Sequence, residues 1–209
     1  VTEGPIGTGV AAILLAAGSS RRFGADNKLL AEIDGVPLVV RAARALTSSR
    51  ARDVIVVTGH EVERITAVLT GLPVRFVFNG HHSDGIGTSV AAGIAAVNPE
   101  DAGALVVQAD MPNLSPELAD RLIAQFQAER GEAIVVPVDR QGAQGNPVLW
   151  PRPCFAELAR LSGDRGAKAL LQRAEFRIVQ LAVEQPQAFL DIDTVAELAA
   201  ARAGSAQRA

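Results

Sequence analysis

The stretch Val10-Ala11-Ala12-Ile13-Leu14-Leu15-Ala16-Ala17-Gly18-Ser19-Ser20-Arg21-Arg22-Phe23-Gly24, closing with Asn27-Lys28, decides the fold. Val10 to Leu15 is an apolar run of strand length, and such a run reads as a strand buried on both faces. Glycine, serine and arginine follow it directly. Small residues let the backbone approach a ligand, hydroxyls and amides can hydrogen-bond phosphate oxygens, and Arg22 and Lys28 can neutralise them. In composition the segment is a phosphate cradle. It matches neither Gly-x-Gly-x-x-Gly nor Gly-x-x-x-x-Gly-Lys-[Ser/Thr]. A plain turn between strand and helix, with solvated arginines, fits the composition equally well.

The same pattern repeats outward. Further apolar runs lie at Val54 to Val57, Val74 to Phe78, Ala104 to Val107, Ala133 to Val136 and Phe176 to Val183. Between them, apolar residues at helical spacing run over Leu38 to Leu46, Val62 to Leu69, Thr88 to Val97, Pro116 to Phe126, Phe155 to Leu161 and Thr194 to Ala201. Parallel neighbours need crossover connections, which helices supply, so the alternation predicts an α/β protein with a mostly parallel sheet and helices on both faces. One domain over residues 1–209 is expected, with loose ends near 1–8 and 204–209. Ligands of such sheets sit beyond the carboxyl ends of the strands, which directs attention to the loops after them.

Composition narrows the chemistry. The chain has 209 residues, 48% hydrophobic and 21% charged, with 20 basic and 23 acidic side chains and a net charge of −3. That charge gives no general reason to bind nucleic acid or an anionic membrane. No apolar run approaches the roughly 20 residues of a membrane span, and the start lacks a signal-peptide pattern, so a cytoplasmic protein is expected. One cysteine, Cys154, makes neither an internal disulfide nor a zinc or iron–sulfur cluster, and it reads as a small packed residue. His60, His81 and His82 lack metal-binding spacing and read as surface residues. Trp150 reads as core or pocket wall. No Ser/His/Asp or Cys/His constellation stands out.

The segment Leu15-Ala16-Ala17-Gly18-Ser19-Ser20-Arg21-Arg22-Phe23-Gly24 with Lys28 resembles the Leu-Ala-Ala-Gly-x-Ser-x-Arg-Met-Gly…Lys signature of nucleotidyltransferases that act on molybdenum cofactor (MobA-like), above all the cytidylyltransferase branch. Five later segments are similar to family elements in family order: Asp84-Gly85-Ile86-Gly87-Thr88-Ser89, Ala109-Asp110-Met111-Pro112, Gly145-Asn146-Pro147-Val148-Leu149, Gly163-Asp164-Arg165-Gly166-Ala167 and Asp191-Ile192-Asp193-Thr194. The resemblance implies a Rossmann-like nucleotidyltransferase fold, cytidine triphosphate (CTP) as donor and a molybdopterin-type phosphate as acceptor. It implies Arg22, Lys28 and Asp110 as catalytic residues. Leu15, Ala16, Ala17, Gly18, Ser19, Ser20, Lys28 and Asp84 would bind the nucleotide, and Gly85, Thr88, Ser89, Gly145 and Asn146 the acceptor. Asp110, Asp191 and Asp193 would hold Mg2+. Ala17 bears on the base, because guanylyltransferase relatives carry Leu-Ala-Gly-Gly.

The chain departs from the pattern at Phe23 for Met, Ala109 for Gly, Gln144 for Arg and Val195 for Pro. Gln144 replaces a guanidinium with a neutral amide, which bears on the acceptor. A strand-end carboxylate with phosphate oxygens and water is how magnesium is held, and Asp110 fits that role, although a turn aspartate before Pro112 is its ordinary alternative. Asp193 reads equally as a metal ligand or as the N-cap of the last helix. An ionised phosphate acceptor needs no general base. Two rival readings accompany the transferase: a nicotinamide-dependent reductase of the nicotine blue oxidoreductase type, and a chaperone that delivers finished cofactor to a molybdenum hydroxylase.

Overall fold

The computed structural model describes residues 8–19, 23, 27–164, 167–173, 175–184, 188 and 191–206. A seven-stranded sheet runs through the chain in the order β5-β4-β1-β6-β8-β7-β9. Its strands are β1 (Val10–Ala16), β4 (Asp53–Thr58), β5 (Arg75–Phe78), β6 (Gly103–Gln108), β7 (Ile134–Val138), β8 (Val148–Pro151) and β9 (Ile178–Ala182). Pairing is parallel throughout except at β8, which runs against both β6 and β7. The expected α/β architecture, mostly parallel with helices on both faces, is the one observed.

The apolar run that opens the chain is buried on both faces. Ala12, Leu14 and Ala16 pack into the core beneath α1 (Leu38–Thr47) and α4 (Pro116–Ala128). Ala11, Ile13 and Ala17 pack into the opposite core with Val90 and Ile94 of α3 (Ile86–Ala95) and Leu158 of α5 (Phe155–Leu158). With β4 on one side and β6 on the other, β1 is an interior strand of the sheet, so the loop after it opens between the carboxyl ends of its two parallel neighbours. α2 (Val62–Val68) follows β4 and buries Ile65.

Several expectations need correction. β8 was not anticipated: four residues at Val148–Pro151 carry no period, and an antiparallel insertion needs no preceding helix. A small hairpin, β2 (Glu32–Ile33) with β3 (Val36–Pro37), adds to the expected elements; Asp34-Gly35 is the turn pair that favours it, and both residues have positive φ, 53° and 72°. β5 is an edge strand rather than a buried one, with Phe76 and Phe78 40% and 62% exposed. α5 stops at Leu158, short of Leu161.

The last helix, α6 (Val195–Ala206), continues through Gly204 to Ala206. Thr8 is tied by its carbonyl to Gln127 Nε2 at 3.3 Å. Residues 1–7 and 207–209 lie outside the described residues. A third small core of Phe23, Ile33, Leu38, Ile192 and Leu198 binds the first loop, the hairpin and α6 together. Phe23 is an apolar anchor there, which accounts for the exchange of one large apolar residue for another. Among the described residues, no helix is long and apolar enough to cross a membrane.

Trp150 and Cys154 are both buried, as read from the sequence. Burial pushes the Cys154 thiol up to about 11. The reactive thiolate is therefore scarce at neutral pH, and the sulfur is shielded as well. Iodoacetamide at pH 8 is expected to leave the folded protein unmodified and to add one label after denaturation, read by intact mass. Rapid labelling of the native protein would contradict this placement.

Candidate active site

A cleft of about 630 Å3 opens at the carboxyl ends of β1 and β6. Leu15, Ala17, Gly18 and Ser19 form one wall, continuous with β1. Ile86 and Ser89 of α3 lie across from them, with Gly85 at the helix start. Asp110, two residues beyond β6, marks the floor: Ala109 N–H donates to Leu15 O (3.2 Å), carrying the β1–β6 register one step past the strand. Asp191 and Asp193 reach the same cleft because Ile192 N–H donates to the Asp110 carbonyl at 3.1 Å.

Lys28 is aimed by its neighbour. Asn27 Oδ1 accepts from Leu29 N–H (3.0 Å), capping a short 3-10 turn over Lys28–Leu30. From there Lys28 Nζ lies 2.6 Å from Asp110 Oδ2 and 2.8 Å from Asp193 Oδ1. The Lys28 and Asp110 side chains are 14% and 12% exposed, and Asp193 is 42% exposed. Burial by itself lowers the Lys28 pKa, but Asp110 and Asp193 together outweigh it and hold the ammonium above its ordinary value. Burial raises the Asp110 carboxyl, and Lys28 offsets only part of that rise.

Of the two readings of Asp193, the helix-cap role falls to its neighbour. Thr194 is the cap: its Oγ1 accepts from Glu197 N–H (3.2 Å), and Glu197 Oε2 accepts from Thr194 N–H (2.8 Å). This reciprocal Thr-x-x-Glu box satisfies the helix start, and the Asp193 carboxylate meets Lys28 instead. The cap signal was present in the sequence one residue further on.

The remaining residues read from the sequence separate into groups. Ala16 is buried under α1 rather than facing the cleft. Asp84 is exposed, 3.5 Å from His81 Nδ1, and is not among the cleft-lining residues. The Thr88 hydroxyl accepts from Asn79 Nδ2 (2.9 Å) and lies within donating distance of the His81 and Gly85 carbonyls (2.8 and 2.9 Å), so it braces the loop before α3. Ser89, also bonded by Asn79, does line the cleft. Gly145 and Asn146 lie outside the lining: Gly145 N–H donates to Pro137 O (2.9 Å), and Asn146–Pro147 is a cis peptide leading into β8. Ser20 and Arg22 lie outside the described residues.

The cleft also contains residues that were given no role. Gln108 ends β6, and a polar side chain closing a buried strand was a usable signal. Asp164 enters on a turn that packs against α3, where Gly87 N–H donates to Gly163 O at 3.0 Å. His82 lines the cleft instead of sitting on open surface, because a Cβ at Gly59 would lie 2.5 Å from His82 Cβ and 2.9 Å from the Ala17 methyl. Only a glycine lets β4's end close against both.

A divalent ion fits this site. Asp110 Oδ1 is buried and has no hydrogen-bond partner among the described residues, an arrangement that is costly unless something else meets it. No three His, Cys, Asp or Glu among the described residues form a metal cage. A divalent ion meeting Asp110 Oδ1 would take most of its other ligands from phosphates and water.

A glycine/serine loop, a lysine and a strand-end carboxylate thus line one cleft of an α/β protein, the residue types that suit a phosphate ligand. Residues 12–179 match the MobA-like NTP transferase domain, and the chain belongs to that family. It is 30% identical over 203 residues to nicotine blue oxidoreductase of Paenarthrobacter nicotinovorans, covering 94% of this chain and 97% of that protein. It is 30% identical over 167 residues to "Probable molybdenum cofactor guanylyltransferase" of Natronomonas pharaonis, covering 80% and 76%. The crystal structure of the Rv0371c homologue from Mycobacterium sp. strain JC1 superposes with a TM-score of 0.84 at 24% identity, covering 97% of this chain and all of that one, which establishes the shared fold.

Proposed function

We propose that the protein is a magnesium-dependent nucleotidyltransferase that moves a cytidylyl group from CTP to the terminal phosphate of a molybdopterin-type acceptor and releases pyrophosphate. The observation that carries this reading is Lys28 and Asp110 joined at 2.6 Å in the cleft lined by Leu15, Ala17, Gly18 and Ser19, inside a chain of the NTP transferase family. An acceptor phosphate oxygen attacks the α-phosphorus, and the bond from that phosphorus to the bridging oxygen breaks. Lys28 binds phosphate oxygens, the glycine/serine wall brings backbone N–H groups to them, and Arg22 adds positive charge. Asp110, with Asp191 and Asp193 beside it, would hold Mg2+, which when bound offsets the charge of the phosphates and orients them. The acceptor phosphate is already ionised, so no side chain has to remove a proton. Asp164 and His82 offer an acidic and an aromatic contact for the acceptor. The reading places the protein in the cytoplasm with the nucleotide pool, and a molybdenum hydroxylase as recipient of the product belongs to it.

Ala17 supports CTP over guanosine triphosphate: its methyl fills space against Gly59 at the cleft wall, where the Leu-Ala-Gly-Gly form would leave a gap. CTP is expected to displace a labelled nucleotide at lower concentration than guanosine triphosphate, and Ala17→Gly to narrow the gap. A competition titration favouring guanosine triphosphate would reject the cytidylyl assignment and leave the fold untouched.

A specific observation favours a second reading. The match to nicotine blue oxidoreductase runs over 97% of that protein, so hydride transfer from a nicotinamide is a rival use of this cleft. Incubation with labelled CTP, magnesium and molybdopterin, beside an absorbance assay for oxidation of reduced nicotinamide cofactor, separates the two. Only the transferase releases pyrophosphate.

A further inference from the structure

Two of the carboxylates that would hold a divalent ion already share a cation. Lys28 Nζ sits within hydrogen-bond distance of both Asp110 Oδ2 and Asp193 Oδ1, residues 82 and 165 positions along the chain from it. The arrangement is fixed from three sides. Asn27 caps the turn that carries Lys28, Thr194 rather than Asp193 caps the last helix, and the Ile192–Asp110 backbone bond holds the two acidic segments side by side.

We propose that Lys28 is a surrogate cation in the nucleotide-free protein. It holds the metal carboxylates in place and keeps a free divalent ion from them until a triphosphate draws the ammonium away. The inference rests on the reading above, in which Asp110 and Asp193 are metal carboxylates. Two cations cannot share one carboxylate pair at this distance without strong repulsion, so lysine and metal compete. A triphosphate offers Lys28 a new anionic partner, and four flexible methylenes let the ammonium reach it. Asp110 and Asp193 are then released together. Metal and triphosphate must therefore bind with positive coupling, and by linkage each raises the affinity of the other by the same factor. Lys28 has a second duty besides contacting phosphate: it makes metal binding conditional on nucleotide.

Mn2+ alone, titrated into nucleotide-free protein and followed by electron paramagnetic resonance of the free ion, tests this. Lys28→Met keeps the apolar stem and removes the charge, and Lys28→Gln keeps a neutral donor. Both variants are expected to bind Mn2+ about tenfold more tightly than the wild type, within the usual range of coupling factors. Adding Asp110→Asn to Lys28→Met should remove the gained site. Adding CTP should raise Mn2+ affinity more in the wild type than in either variant. If the folded variants bind free Mn2+ no better than the wild type, while the wild type binds it with CTP, this inference fails and the transferase reading stands. If no Mn2+ binds even with CTP, the metal part of that reading fails and takes this inference with it.

Discussion

Asp110→Asn is expected to abolish metal-dependent pyrophosphate release, by a factor of at least about 100, in a protein whose melting temperature stays close to that of the wild type. The size follows from removing a preorganised charged group from a water-poor site, which typically costs 100- to 1,000-fold. Asparagine preserves shape and an acceptor oxygen but no longer balances a cation at the buried Oδ1 position. Stability is less affected, because Lys28 retains Asp193 at 2.8 Å and the substitution removes an anion that burial already disfavours. The experiment also decides between the two enzymatic readings. A reductase that takes hydride from a nicotinamide needs no divalent ion at Asp110, so its activity should survive both a chelator and this substitution. If the only activity detected is untouched by metal removal and by Asp110→Asn, the transferase reading is wrong.

The elements legible in the sequence were those with one physical signature over several residues. β1, β4 and β6 are buried on both faces, so their apolar runs are continuous, and the helices between them repeat at helical spacing. β8 failed that test because its four residues are too short to show a period, and its antiparallel direction depends on partners that local sequence does not reveal. β5 misled for the opposite reason: Phe76 and Phe78 look like core and instead face outward at the sheet edge. In the site, the loops after β1 and β6 were legible because small residues and a carboxylate follow strands directly. The meeting of Lys28 with Asp193, 165 positions apart, was not, since only the folded chain brings them together. Thr88 and Asp84 show the converse. Their residue types suit ligand contact, but the loop before α3 uses the Thr88 hydroxyl to hold itself in shape, and Asp84 turns towards His81.

Gly85→Ala should produce the largest loss of stability among single changes near the cleft. Gly85 has φ 105° and ψ 167°, a region that essentially only glycine occupies, so a side chain there is strained before it touches anything. It also has no space, because a Cβ would collide with the Gly163 carbonyl and with Asp164 N. Backbone strain costs about 1 to 3 kcal/mol and overpacking a similar amount, giving a total of about 2 to 6 kcal/mol. For a chain of this length that lowers the melting temperature by roughly 5 to 20 °C. Relieving the collision by pushing the 162–164 turn off α3 would break the Gly87–Gly163 bond and withdraw Asp164 from the cleft. Ligand affinity should therefore fall along with stability. Gly142→Ala serves as the control: its φ of 83° is also positive, yet nothing lies within 4 Å of a Cβ there, so it carries backbone strain without collision. Thermal melts of the two variants separate the contributions. Equal destabilisation would mean that the packing of the Gly163 turn on α3 adds nothing, and that Asp164 is placed in the cleft by other contacts.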